Sequence, residues 1–534
     1  MNLEEVITPN SSFRVALPQI VAVMVKNLLL VAFGMTLGYP TILIPGLSGN
    51  DANEEFRLNQ EQVSWIGSIN LMCVPLGCIL SGVITQPVGR RRSMQIITIP
   101  LALSWVIFKF ANQVWHIYLA LSITGLCGGL VEAPVLSYVA EITTPNLRGM
   151  LSAASTLCVT LGILIQFLLG TLLPWRSVAM VSLGPPLLSF CLLCFMPESP
   201  HWLIMYGKLN QARKSLAWLR GWVGLEKIEE EFEAMCLSHN VSSKENIYKT
   251  ELETISFKET LSKKSENLNQ QSSERVESIL IIKLNQLRLF TRKSFLWPFG
   301  MVGFIYFLMN FTGVWTLQTY AVNIFATLNV PIDKYYATIL LGLAEFFGCF
   351  ITIGMIRFLG KRVTGFMSVC AVGICDIVIG TYAYINNVKY LQFQDASITL
   401  TPVIDGNNWI PLTFLLLLAF TGHCGLKSLP WILIGEIYSH ETRATGCGCS
   451  SALSYVFGFL ANKIFLDMIN LLTLCGMYWF YAIISFGGCI VMYFILPETE
   501  GKSLQEITNH FAGISKLDNN VRKKSTKKVI IPLV

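Results

Sequence analysis

Charge is what this sequence has least of. Of its 534 residues only 13% are Asp, Glu, Lys or Arg, where a soluble domain carries about 25%. Hydrophobic residues make up 53%, and the mean hydropathy is +0.55. That balance excludes a water-soluble globule and points to a chain that crosses a membrane many times. Catalytic signatures are missing too. There is no Walker-type glycine loop, no H-x-x-x-H and no G-x-S-x-G, so neither an ATP-driven pump nor an enzyme is expected, and no metal or cofactor is called for. The fifteen cysteines fall mostly inside apolar runs, where Cys behaves as a small hydrophobe. Cys191 and Cys194 form a C-x-x-C, but in an apolar stretch with no His beside it. The net charge of +6 does not argue for nucleic acid, because the basic residues collect in a few loops and in the tail VRKKSTKK, 521–528. The first 18 residues are polar and carry Glu4, Glu5 and Arg14, which argues against a cleavable leader.

What the chain does have is apolar runs of about 20 residues, each long enough to cross about 30 Å of hydrocarbon. In lipid these must be helices, because every backbone polar group has to be satisfied within its own segment. Twelve are read: 19–45, 62–86, 93–111, 114–141, 149–173 and 176–196, then 296–326, 335–358, 363–386, 408–439, 446–470 and 474–496. The division is a polar N-terminal segment (1–18), a six-helix bundle (19–196), a loop (197–294), a second six-helix bundle (295–497) and a basic tail (498–534). Within the loop LNQARKSLAWLRG has helical spacing, and 238–278, rich in Ser, Glu, Lys, Asn and Gln, reads as disordered. Arg90, Arg91 and Arg92 follow span 2, Arg148 follows span 4, Lys361 and Arg362 follow span 8, and Arg443 follows span 10. The positive-inside rule therefore puts both termini and the long loop in the cytosol.

Three signatures recur in the same order. VGRRRS (88–93) answers LGKRVT (359–364), AEITTPNLRG answers GEIYSHETRATG, and PESPHW (197–202) answers PETEGKSL (497–504). This is a duplication in which two bundles share an axis along the membrane normal, with a cavity between them. Glu141 stands seven residues before Arg148, and Glu436 seven before Arg443. Such pairs, with the neighbouring Arg and Lys clusters, have the makings of a latch that joins the bundles at the cytosolic face. Positive-inside charge and helix capping are the plainer account, but they do not explain a matched pair in each half.

Taken together, VGRRR, YVAEITTPNLRG, PESPHWL, PWILIGEIYSHETRATG and LPETEGKSLQEI resemble the sugar-porter branch of the major facilitator superfamily, over about residues 19–510. SWIG (64–67), ARKSLAWLRG (212–221) and Thr156 bring the chain close to the insect trehalose facilitators within that branch. The resemblance implies an all-α polytopic fold of two six-helix pseudo-repeat bundles that rock about one solute site near the midplane. It implies a cytosolic gate of Arg90, Arg91, Glu141, Arg148, Lys361, Arg362, Glu436 and Arg443. It also implies a solute site drawn from Thr156, Ile163, Asn310, Trp315, Glu345, Lys427, Trp431 and Tyr455.

Several of those positions depart from the family pattern. Where sugar porters carry three amides in span 7, this chain reads MNFTGVW, so only Asn310 keeps an amide. Trp315 either stacks on the solute or fills the cavity. Glu345 stands for a span-8 Asn, Tyr455 for a Trp, and Leu121 for an Arg in span 4. GLKSLPW replaces the flexible prolines of span 10 and brings in Lys427. Glu345 and Lys427 are opposite in sign and read as a compensating pair, with His423 one turn from Lys427. Trp431 offers a flat face to a pyranose ring. Lys26 and Lys109 read as snorkelling to an interface. Glu132 lies about 13 Å deeper than Glu141 on a regular helix, and Asp376 is a further acid in an apolar run.

The expected function is a monomeric plasma-membrane carrier whose partners are the lipid bilayer and a small solute, trehalose or a hexose, moved without an added energy source. The altered site leaves two alternatives open: a carrier of a non-sugar or charged solute, proton-coupled or not, and a transport-dead sugar sensor.

Overall fold

The computed structural model describes residues 9–48, 58–238, 290–392, 409–438, 442–502 and 504–518. Most of the long polar insert (239–278) and the basic tail (521–528) lie outside them. Among the described residues there is no strand. The first half holds α1 (Pro9–Ser48), α2 (Gln60–Val88), α3 (Arg90–Lys109), α4 (Val114–Ile142), α5 (Pro145–Leu172), and a sixth span bent at Leu183 into α6 (Trp175–Ser182) and α7 (Gly184–Cys194). Three short helices follow: α8 (Pro200–Met205), α9 (Leu209–Leu219) and α10 (Glu229–Ser238). The second half holds α11 (Lys293–Phe311), α12 (Val314–Thr327), α13 (Lys334–Leu359), α14 (Lys361–Ile385), α15 (Trp409–His423), α16 (Leu429–Ile437), α17 (Arg443–Ile495) and α18 (Leu504–Phe511).

Nine of these stretches are long and apolar enough to cross a membrane. The other crossings of the twelve-span fold are disguised. Helix α3 is diluted by its three arginines and Lys109, and the tenth span is split into α15 and α16. Helix α17 runs 53 residues through a single non-helical residue, Thr473 (φ 65°), and so counts as two spans.

Close packing of the spans depends on small residues, as expected where lipid and Leu are equally apolar. A Cβ on Gly34 of α1 would sit 2.0 Å from the Val159 carbonyl oxygen of α5, and one on Gly162 would sit 2.2 Å from that of Val31. Large side chains such as Leu76, Ile79, Val83, Ile99 and Phe350 point outward, as a surface facing acyl chains requires. Outside the bundles, α8–α10 bury their own small core of Trp202, Leu203, Ile204, Leu216 and Phe232.

The core is not evenly shared between the halves. One large cluster joins them, with Tyr39, Leu43, Ile66, Ile163 and Phe167 on one side and Leu317, Tyr320, Ile324, Leu341 and Phe465 on the other. Two further clusters each belong to one half. Val23, Leu101, Val135 and Tyr138 form one, and Val302, Tyr306, Leu433 and Tyr438 the other. Among the described residues the halves therefore share a core at one end, while each keeps a core of its own at the end bearing the arginine and lysine loops, called here the basic face.

Candidate functional site: an aromatic cluster between the two faces

At the basic face each half builds the same device from the ends of four spans. Gly89 stands between α2 and α3 at φ +100°. Only glycine adopts that backbone freely, and a Cβ there would lie 2.7 Å from Glu198 Oε2. Glu198, just after the sixth span, accepts the main-chain N–H groups of Arg90 (3.0 Å) and Arg91 (2.9 Å) and so caps α3. A carboxylate at a helix N-terminus meets free N–H donors and the positive end of the dipole. Arg90 donates through Nε and Nη2 to Glu141 Oε1, at 3.1 and 2.9 Å. The other Glu141 oxygen accepts the Ser199 hydroxyl, and Arg91 Nη1 donates to the Met196 carbonyl at 2.8 Å.

The second half repeats the plan and adds a second carboxylate. Gly360 has φ +86°. Glu498 accepts the N–H groups of Lys361 (3.1 Å) and Arg362 (3.0 Å). Lys361 Nζ pairs with Glu436 (2.7 Å) and Glu500 (2.9 Å). Thr499 donates to Glu436, and Arg362 Nη2 donates to the Tyr493 carbonyl. The described ion pairs here all lie within one half.

In the second half the E-x6-R spacing is not what pairs the charges. Glu141 meets Arg90 and Glu436 meets Lys361, while Arg443 donates to the Tyr438 carbonyl at 3.3 Å. The Arg148 side chain lies outside the described residues. Glu198 and Glu498 were visible in the sequence as parts of PESPHW and PETEGKSL. Their capping role was not, because it needs residues 108 apart to meet.

The far face is closed by bonds between the halves. Thr41 donates to the Gln318 carbonyl at 2.7 Å, Ser64 to that of Lys463 at 2.7 Å, and Asn462 Nδ2 to that of Gly67 at 3.0 Å. Lys463 Nζ lies 4.3 Å from the Trp65 ring centroid.

Between the two faces two spans lose their helix. The seventh breaks at Thr312–Gly313, with Gly313 at φ +79°, and the tenth between His423 and Leu429. Unwound backbone at membrane depth is tolerated where protein side chains satisfy it. Here Ser368 Oγ accepts the Leu426 N–H at 2.9 Å, and Thr352 donates to the His423 carbonyl at 2.7 Å.

The aromatic candidates come together at this level. Trp315, Trp431 and Tyr455 pack with Leu71, Val74 and Cys78 of the other half. Trp431 meets Tyr455 at 5.9 Å and Tyr306 at 5.3 Å between centroids. Tyr455 donates to Glu132 Oε1 at 3.3 Å, a side-chain hydrogen bond between the halves. Lys427 Nζ lies 4.4 Å from the Trp315 centroid and donates to Gln318 Oε1 at 2.7 Å. Among the described residues no ion pair joins it to Glu345, which instead faces His423 Nε2 at 4.0 Å.

Other candidates stand apart. Asn310 gives both amide hydrogens to backbone, the carbonyls of Tyr306 (2.8 Å) and Ser454 (3.2 Å), so no donor is left for a solute. Ile163 is packed in the shared core, and Thr156 is exposed two turns toward the basic face. Lys26 does not snorkel. It is wholly buried and donates to Ser155 at 2.7 Å, because its backbone lies too deep in α1 to reach an interface. Asp376 is likewise wholly buried, with both carboxylate oxygens unbonded. Among the described residues no group of acids, histidines or cysteines is set to hold a metal.

Comparison with known proteins now decides the family. The model of the family described as "Sugar (and other) transporter" matches residues 36–511. The chain belongs to that family. Among its relatives, a facilitated trehalose transporter (Tret1) of Apis mellifera ligustica is 27% identical over 496 residues, 93% of this chain and 88% of the relative. The Bombyx mori protein of the same name is 26% identical over 474 residues, 88% and 83% of the two chains. Among solved structures, the inward-open conformation of the E. coli xylose transporter XylE superposes with a TM-score of 0.65 at 16% identity, covering 91% of this chain and 98% of that one. XylE bound to 6-bromo-6-deoxy-D-glucose gives 0.63 at 18% identity, covering 92% and 99%. The fold is that of the major facilitator superfamily, and this member of the sugar-transporter family is a carrier rather than an enzyme.

Proposed function

We infer that this carrier moves trehalose or a hexose across the plasma membrane by alternating access, as a monomer, down the solute's own gradient. One observation carries the reading: the halves share a core at one face and keep cores of their own at the other, with a break in two helices and an aromatic cluster between. Such an arrangement supports a solute site exposed to one side at a time. The basic loops make their own face cytosolic by the positive-inside rule, with both termini on that side. Glu141, Arg90, Lys361 and Glu436, held within their halves here, are the gate that joins the bundles when the far face opens, with Arg91, Arg148, Arg362 and Arg443 around them. The trehalose named in the relatives' descriptions makes it the first solute to test. Trp431 and Tyr455 suit a sugar ring, since its axial C–H groups are apolar and stack on aromatic faces.

Uptake of labelled trehalose and of labelled glucose in oocytes, with and without an imposed proton gradient, tests this. The expected result is saturable, equilibrating uptake of one of them. Uptake of neither sinks the sugar reading, and accumulation driven by the gradient sinks the facilitator reading. Glu345 and Lys427, two charges beside a site meant for a neutral sugar, favour a second reading in which the solute is charged. Competition of that uptake by sugar acids or amino sugars would favour it.

A further inference from the structure

Three ionisable side chains converge where α15 ends and α16 has not begun. Glu345 of α13, His423 at the end of α15 and Lys427 in the turn are 1%, 2% and 9% exposed. Ionisable groups at this depth are rare and costly, and a facilitator of neutral solutes has no energetic need of them. Their hydrogen bonds say where the protons sit. His423 Nδ1 lies 2.8 Å from the Ala419 carbonyl oxygen. A carbonyl only accepts, so Nδ1 carries a hydrogen. In the neutral ring Nε2 therefore presents a lone pair. It faces Glu345 Oε2 at 4.0 Å, and that oxygen has no hydrogen-bond partner. Two lone pairs facing each other in a dry interior repel. One proton, on either group, makes the contact attractive. His423 also ends its helix, where free carbonyls favour a positive ring. Lys427 makes no ion-pair contact with the carboxylate among the described residues, because its ammonium is held by Gln318 and Trp315.

We propose that Glu345 and His423 form a binding site for a single proton, and that its occupancy sets the position of Lys427. With the proton present, Lys427 rests on Trp315 and Gln318, as in this structure. When it leaves to water, only an O–H or N–H bond is broken and Glu345 becomes a bare carboxylate. Lys427 is the nearest cation and moves to it, releasing Gln318. The main-chain carbonyl of Gln318 is the acceptor for Thr41 in the far-face seal, so proton loss reaches the outer gate. The remaining groups around the site do not compensate the carboxylate. Cys349 is one turn along α13 and Cys424 follows His423. Helix α5 brings the Thr160 hydroxyl against Cys349, and α12 brings Gln318 and Trp315. Asp376 of α14 faces Tyr478 of α17 instead.

The test uses the full chain reconstituted in liposomes and two readouts. The first is the infrared difference spectrum between buffers of about pH 5 and 8, the range where a histidine-linked proton exchanges. A carboxylic-acid band should appear on acidification, vanish in Glu345→Gln, persist at a shifted frequency in Glu345→Asp, and shift in His423→Gln. The second is exchange of labelled trehalose or glucose at equal pH on both sides, expected to change at least about fivefold across that range, the lower end of site-to-site couplings. In His423→Gln this pH dependence should vanish. An acid-induced band that survives unchanged in Glu345→Gln, or a His423→Gln protein with the wild-type pH profile, overturns the proposal. The exchange arm rests on the sugar reading and the infrared arm does not. A wild type that exchanges neither labelled trehalose nor labelled glucose at any pH would refute that reading, leaving the infrared result to decide the proton site.

Discussion

Glu198 and Glu498 do one job at equivalent places, accepting three and two main-chain N–H groups at the start of a helix and standing beside an acid–base pair. At mid-depth the two halves share almost nothing. The first offers Glu132 to Tyr455 and hides Lys26 under Ser155, while the second gathers Glu345, His423 and Lys427 around a broken helix. The contrast teaches where the constraint lies. The basic-face clusters are fixed by glycine backbone, helix ends and carboxylate reach, and these are alike in both halves. A solute site touches an asymmetric molecule, so nothing holds its two sides alike.

The comparison breaks most visibly at Lys361. It is 2% exposed and joins two carboxylates, Glu436 and Glu500, where Arg90 joins one. Lys361→Ala should cost about 3 kcal/mol, the low end for a broken buried pair because Glu436 is partly solvated. Arg90→Ala should cost less. Thermal unfolding of the purified variants in detergent measures both, and equal losses would mean that Glu500 adds nothing.

Glu198→Gln and Glu498→Gln come next. Each weakens its charge-assisted hydrogen bonds and a dipole contact, for about 1–2 kcal/mol. The same unfolding assay should give matching values, and a difference of more than about 1 kcal/mol would show that the caps are equivalent only in shape.

Thr41→Val at the far face removes one net hydrogen bond, about 1 kcal/mol. That should move the population toward the other facing by about fivefold, read as faster labelling of a cysteine placed beside Gln318. The smallest effect belongs to Thr156→Ala. Exposed and away from the aromatic cluster, it should change stability by no more than about 0.5 kcal/mol and leave uptake unaltered. Lost uptake would extend the solute path down α5.

Much of this was legible in the sequence. Apolar length gave the spans, and repeated motifs gave the duplication, because both are properties of residues near one another in the chain. The breaks at Gly313 and at 424–428 were less legible. The seventh and tenth spans read as unbroken, since the residues that make unwinding tolerable, Ser368 and Thr352, sit on other helices. At the basic face the arginine cluster after span 2 was legible as a partner of Glu141, and Arg90 takes that place fifty-one residues away. Glu436 and Arg443 are close in sequence, but that carboxylate turns to Lys361, seventy-five residues away. Asn310 had the right chemistry for a sugar, and its commitment to the carbonyls of Tyr306 and Ser454 could not be seen without the neighbouring helix.

The single non-helical residue at Thr473 has a mechanical meaning. A reversal made by one residue leaves no slack, and Leu474 N–H is tied to the Lys389 carbonyl at 2.8 Å. The two arms of α17 therefore travel as one stiff lever, hinged against the end of α14. Such a hairpin transmits a displacement at its tip undiminished to Tyr455 in one arm. A tag spliced in after Thr473 would act as a wedge in that lever.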